Sequence, residues 1–146
     1  MGVSKSRFEV ADAEFRTWTE RLNETISDAE SKAAEINPGH DVHVHLRTVS
    51  DDDEFPEFAE FLGMVKIKDR WRLAFGTCSV DDPTDLDWTP LLECSLDQRL
   101  SASGHIEDLL EALLVAREAQ ARNAHERVMQ LRKVLSSFSE KVGGVE

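Results

Sequence analysis

Residues 61–77 read FLGMVKIKDRWRLAFGT, and the fold depends on how this stretch is parsed. Phe61, Val65 and Ile67 alternate with Lys66 and Lys68, while Trp71, Leu73, Phe75 and Thr77 alternate with Arg70, Arg72 and Ala74. A period of two belongs to a half-buried strand, so two strands are predicted. The short polar connection Lys68-Asp69-Arg70 makes them an antiparallel hairpin, although it lacks the Asn-Gly or Asp-Gly of the strongest turn signals. Upstream, Val42, Val44 and Leu46 alternate with Asp41, His43, His45 and Arg47, which adds a third strand and places the sheet within 41–78. Three strands with one apolar face need a covering helix to be stable.

The flanks supply that cover. Phe8, Phe15, Leu22, Ala29 and Ile36 recur every seven positions, with Ala11, Trp18, Ile26 and Ala33 in the adjacent row. This spacing predicts one amphipathic helix over 8–36. Ser6 with Glu9 has the form of a capping box at its start, and Asn37-Pro38-Gly39 stops it. Asp81-Asp82-Pro83-Thr84-Asp85-Leu86-Asp87 is expected to be a surface loop. Ser95 with Gln98 opens a short helix that Ser101-Ala102-Ser103-Gly104 breaks. From His105, apolar residues at three-and-four spacing run through Leu110, Leu113, Val128, Leu131, Leu135 and Phe138 to Val142, a helix of about 38 residues ending at Gly143-Gly144.

The expected architecture is a single α+β domain over 1–146. A small three-stranded antiparallel sheet is covered by a long N-terminal helix over 8–36 and a long C-terminal helix, with a short helix before the latter, these two occupying 95–142. Each long helix outreaches strands of seven or eight residues, which cover only about 25 Å. The long helices are therefore expected to form an antiparallel pair with the sheet at one end. Charge favours the pairing: Glu9 to Glu35 holds eight acids and three bases, whereas Arg117 to Lys141 holds six bases and three acids. Whether the partner helix belongs to the same chain stays open, and a homodimer is expected from the second apolar row.

The 146 residues carry a formal charge of −12, which disfavours bulk attraction to nucleic acid or an anionic membrane. Three Trp and seven Phe are too many apolar anchors for a wholly disordered acidic chain. Cys78 and Cys94 are too few for a disulfide framework and too far apart for a CxxC motif, so reduced cysteines and a cytoplasmic location are expected. No secretory signal is read at the N-terminus, although Met1-Gly2 with Ser6 fits the loose myristoylation pattern. The charge is segregated. Residues 51–63 hold six acids and no base, and 81–100 six acids and one base, while 64–80 hold four bases and one acid.

Alternation places Arg47, Lys66, Lys68, Arg70 and Arg72, with His43 and His45, on the sheet face opposite the apolar one. That face is a candidate for an anionic or acidic partner, against the plainer reading of solvated side chains guarding a small sheet. Asp51, Asp52, Asp53 and Glu54 head a run, to Phe61, that interleaves acids with aromatics and suits docking to a basic, apolar groove; otherwise its Phe residues anchor a loop over 51–60. Asp41, His43 and His45 could chelate a transition ion, but they lack a distant fourth ligand, and Arg47 and Lys66 would repel a cation. The Asp81–Asp87 carboxylates do not follow the order of a calcium loop. Cys94, Ser95 and His105 lack the nucleophile elbow and orienting carboxylate of a catalytic triad, and Trp71 and Trp88 read as packing rather than a base-stacking platform. There is no Gly-rich phosphate loop.

These observations predict a non-enzymatic interaction or adaptor protein without cofactor or bound metal. It would self-associate through its helices and bind a protein partner through the charged sheet face and acidic loops. The alternative is an acidic mimic of nucleic acid that inhibits a DNA- or RNA-binding protein. A metal protein centred on Asp41, His43 and His45 is a minor third reading.

Overall fold

The computed structural model describes residues 2–50 and 57–143. Among them, helix α1 (Gly2–Ile36) is followed by strands β1 (Val42–Val49), β2 (Phe58–Ile67), β3 (Arg70–Ser79) and β4 (Asp82–Pro90). A 3-10 turn (Leu91–Glu93), helix α2 (Leu96–Ser103) and helix α3 (Ile106–Gly143) complete the chain. The strands form an antiparallel meander in the order β1-β2-β3-β4. The α+β class holds, but the sheet has four strands instead of three. The expected loop over Asp81–Asp87 is mostly β4, in which Leu86 and Trp88 are partly buried between exposed Asp85, Asp87 and Thr89.

Other local features also differ from the sequence reading. Helix α1 begins at Gly2, so Ser6 and Glu9 lie inside it and do not cap it. Asp51 to Pro56 fall outside the described residues, and Phe58, Ala59 and Glu60 belong to β2 and not to a loop. Lys68 and Asp69, both with positive φ (50° and 65°), form the two-residue turn between β2 and β3. This backbone matches the right-handed twist of a hairpin even without glycine. The capping box of α2 is present: Gln98 N–H donates to Ser95 Oγ (3.2 Å) and Ser95 N–H to Gln98 Oε1 (3.1 Å).

The core lies between one sheet face and the helices. Met64 opposes both Val42 and Leu73, and Leu62 opposes both Val44 and Phe75. Directly opposed residues share a face. Against this face pack Ile26 and Ala33 of α1, Leu109 and Leu113 of α3, Leu91, and Ala102 of α2. Four hydrogen bonds position α1. Glu30 Oε2 accepts from Leu73 N–H (3.0 Å) and Arg72 Nε–H (3.2 Å), Arg99 of α2 donates to Asn23, and Arg117 of α3 donates to the Glu35 carbonyl at the end of α1.

Pro90 pairs with Ala74, so β4 ends before it reaches Leu73, and Glu30 takes the place of a strand partner there. Glu30→Ala should cost about 1–3 kcal/mol in urea unfolding by orphaning that partly buried amide. Glu30→Gln, which keeps an acceptor, should cost less.

Helices α1 and α3 both lie over the sheet, but not as the expected antiparallel pair: Arg99, just ahead of α3, meets Asn23, whereas Arg117 of α3 meets Glu35 at the end of α1, so the two helices run in the same direction. From Gln120 to Gly143 every residue of α3 is exposed, and from Ser6 to Trp18 every residue of α1 is exposed except the half-buried Asp12. These segments form two arms that do not cover one another within the chain.

Candidate functional site

Two surfaces stand out, the arms and the sheet face turned away from the helices. On the arms, the same periodicity that buries Ile26, Ala33, Leu109 and Leu113 continues past the end of the sheet without being buried by any described residue. Phe8, Phe15 and Trp18 of α1, and Leu131, Val134, Leu135, Phe138 and Val142 of α3, are each more than half exposed. Scattered apolar residues on a surface are ordinary, but rows of this length along a helix mark a candidate interaction surface. Where α2 lies beside α1, the row becomes a groove of about 590 Å³ lined by Phe15, Trp18, Leu22, Leu96 and Leu100, with Glu14 at its margin. The guanidinium of Arg21 lies over Trp18, 5.2 Å from the ring centre.

The far sheet face carries a ring cluster. His43 meets Phe61 edge-on with centroids 5.1 Å apart and Trp88 at 5.8 Å, and His45 meets Phe61 at 5.4 Å. The Trp88 indole lies across two mid-strand glycines. A Cβ on Gly76 would stand 2.6 Å from its ring carbons, and one on Gly63 2.8 Å away. Gly76→Ala should therefore destabilise by about 1–3 kcal/mol through overpacking. In a Trp88→Ala background the added cost should largely vanish, as a double-mutant cycle in urea would read. The readable signal for this cluster was Gly63 and Gly76 inside otherwise apolar strands.

The five bases expected to share that face are dispersed. A β-bulge between His45 and Arg47 shifts the register, so Arg47 opposes Glu60 and forms an ion pair with it. That contact raises the Arg47 pKa further. Lys66 opposes Trp71 on the parity of Met64 and Leu73, the helix-covered side, and is exposed at its end. Lys68 sits in the turn, Arg70 opposes Ile67, and Arg72 is held by Glu30. Asp51, Asp52, Asp53 and Glu54 lie outside the described residues.

The chemical candidates are engaged locally. Asp41 accepts from Lys66 N–H (3.2 Å), and His45 Nε2 lies 3.1 Å from Thr48 Oγ1. Among the described residues no group of three His, Cys, Asp or Glu is placed to hold a metal ion. Ser95 Oγ caps α2, and His105 lies 3.4 Å from Asp108. The Cys94 thiol points at the Pro90 carbonyl (3.4 Å). Burial raises its pKa, Glu93 adds to the shift and Arg99 opposes it. The thiol is therefore less readily ionised than a free one. Cys78 is buried. No helix among the described residues is long and apolar enough to cross a membrane.

No protein-family model, curated protein or solved structure matches this chain. The functional reading therefore rests on these surfaces.

Proposed function

We propose that this chain is a non-enzymatic interaction protein that self-associates through its long helices and presents the resulting assembly to a protein partner. One observation carries the reading: both helices continue their apolar rows well past the sheet, with large side chains more than half exposed. An isolated helix is marginal in water, and most helical stability in proteins comes from packing an apolar face. Helix pairing between two chains gives both arms that packing. The raised pKa of Cys94 and the capping role of Ser95 support a non-enzymatic reading of that segment. The sheet face bearing His43, His45, Phe61 and Trp88 is the second surface offered to a partner protein.

Equilibrium sedimentation of the full chain tests the self-association. A mass near twice 16.5 kDa at micromolar concentration is expected. A mass of 16.5 kDa at several hundred micromolar would refute it.

A further inference from the structure

Self-association through the helices leaves open which arm meets which. The positions beside the apolar rows decide it. On the α1 arm, Glu14 lines the groove against α2 and Asp12 pairs with Arg16 (3.3 Å), while Arg7 and Arg21 also stand beside the seam made by Ala11, Phe15 and Trp18; residues 6–18 carry three acids and two bases, against five bases and two acids over residues 120–143 of α3. On α3, Arg127, Arg132 and Lys141 flank the seam made by Val128, Leu131, Leu135 and Phe138, whereas Glu126 and Glu140 fall on the opposite side of the helix. Flanking charges set the choice of partner between paired helices, and like charges placed together are costly.

From this we infer that the α1–α2 groove receives the α3 arm of a second copy of this chain, reciprocally, so that each protomer gives one arm and accepts the other. The inference rests on the self-association proposed above and adds its pairing rule. Pairing α3 with α3 would set basic flanks against each other, a cost that pairing α3 with the net-acidic α1 arm avoids. The mixed pairing matches apolar row to apolar row and sets the basic α3 arm beside an α1 arm of net negative charge. Reciprocal exchange is the self-complementary arrangement of a two-fold dimer, which closes without growing into filaments.

The area is sufficient. Phe8, Phe15, Trp18 and Phe138 are 58–73% exposed, so together they have on the order of 500 Å² still to bury. That is more than half of the roughly 800 Å² per partner in a standard interface, before the aliphatic residues and Leu100 contribute.

Charge reversal provides the test, read by sedimentation at low ionic strength, where exposed pairs are least screened. Asp12→Lys with Glu14→Lys makes the α1 arm basic like the α3 arm, and Arg127→Glu with Arg132→Glu removes the excess of bases beside the α3 seam. Each variant alone should self-associate more than about tenfold more weakly than the natural chain, while an equimolar mixture should return to within about threefold as a mixed dimer. Circular dichroism and a thermal melt check that each variant folds. If the natural chain dimerises and neither reversal weakens it, the pairing rule fails and self-association stands. If the reversals weaken it but mixing does not restore it, the pairing rule also fails. A natural chain that stays monomeric removes self-association and the pairing rule together.

Discussion

Replacing Leu113 by Ala is expected to lower stability by about 2–5 kcal/mol, whereas Leu135→Ala, about six turns further along the same helix, should change it by less than about 0.5 kcal/mol in dilute solution. Leu113 is fully buried in the core with Leu109, between α3, α1 and the sheet, and its removal leaves a cavity that the sheet cannot close. Leu135 is 62% exposed and touches no core. A domain holds only about 5–15 kcal/mol in total, so Leu113→Ala should move the urea midpoint strongly. The contrast is informative because both residues are leucines in one amphipathic pattern. Equal losses at the two sites in the monomer would mean that the arm packs within its own chain.

The second large effect concerns assembly. Leu131→Asp with Leu135→Asp should weaken self-association by more than about a hundredfold, because each buried leucine is worth about 1.5–3 kcal/mol and a two-fold interface contains every change twice. Helical content and the urea midpoint of the dilute chain should be nearly unchanged, since both residues are exposed in the monomer. Trp18→Ala should act from the other side of the contact. Unchanged association in both variants would move the interface off the arms.

The long helices were readable because thirty or more residues of one period leave little room for another interpretation. Helix α3 runs over Ile106–Gly143, and the Ser95 and Gln98 capping box stands where the sequence places it. Strand β4 was hidden by its Asp, Pro and Thr residues, which also write loops. Its Leu86 and Trp88 alternation is short, and Pro83 and Pro90 are tolerated because β4 is an edge strand. The face of β2 was misread for a different reason. This strand lies between β1 and β3, and Leu62, Gly63, Met64 and Val65 are all buried, so apolarity there does not say which side meets the helices. The lysine parity pointed to Phe61, Val65 and Ile67, but the helices cover Leu62 and Met64.

The candidate site was less legible than the fold. A one-residue bulge has no sequence signature in His45-Leu46-Arg47, yet it moves Arg47 to the other face and into contact with Glu60. Arg72 is drawn off by Glu30, 42 residues earlier in the chain, a pairing that only the tertiary fold sets up. The ring cluster of His43, Phe61 and Trp88 likewise needs β4 in place. The opposite charges of the two helices could be read directly, but not that the arms would leave each other uncovered.

Amide hydrogen exchange across α3, measured from low micromolar to several hundred micromolar chain, tests most directly whether the arms are an assembly surface. Amides around Leu109 and Leu113 should be protected at every concentration, because the core holds them. Those from Ala124 to Glu140 should exchange fast when dilute, and slow by more than about tenfold as concentration rises, together with amides 8–18 of α1. Fast exchange of both arms at every concentration, with the core protected throughout, would contradict the proposal that a second copy covers them.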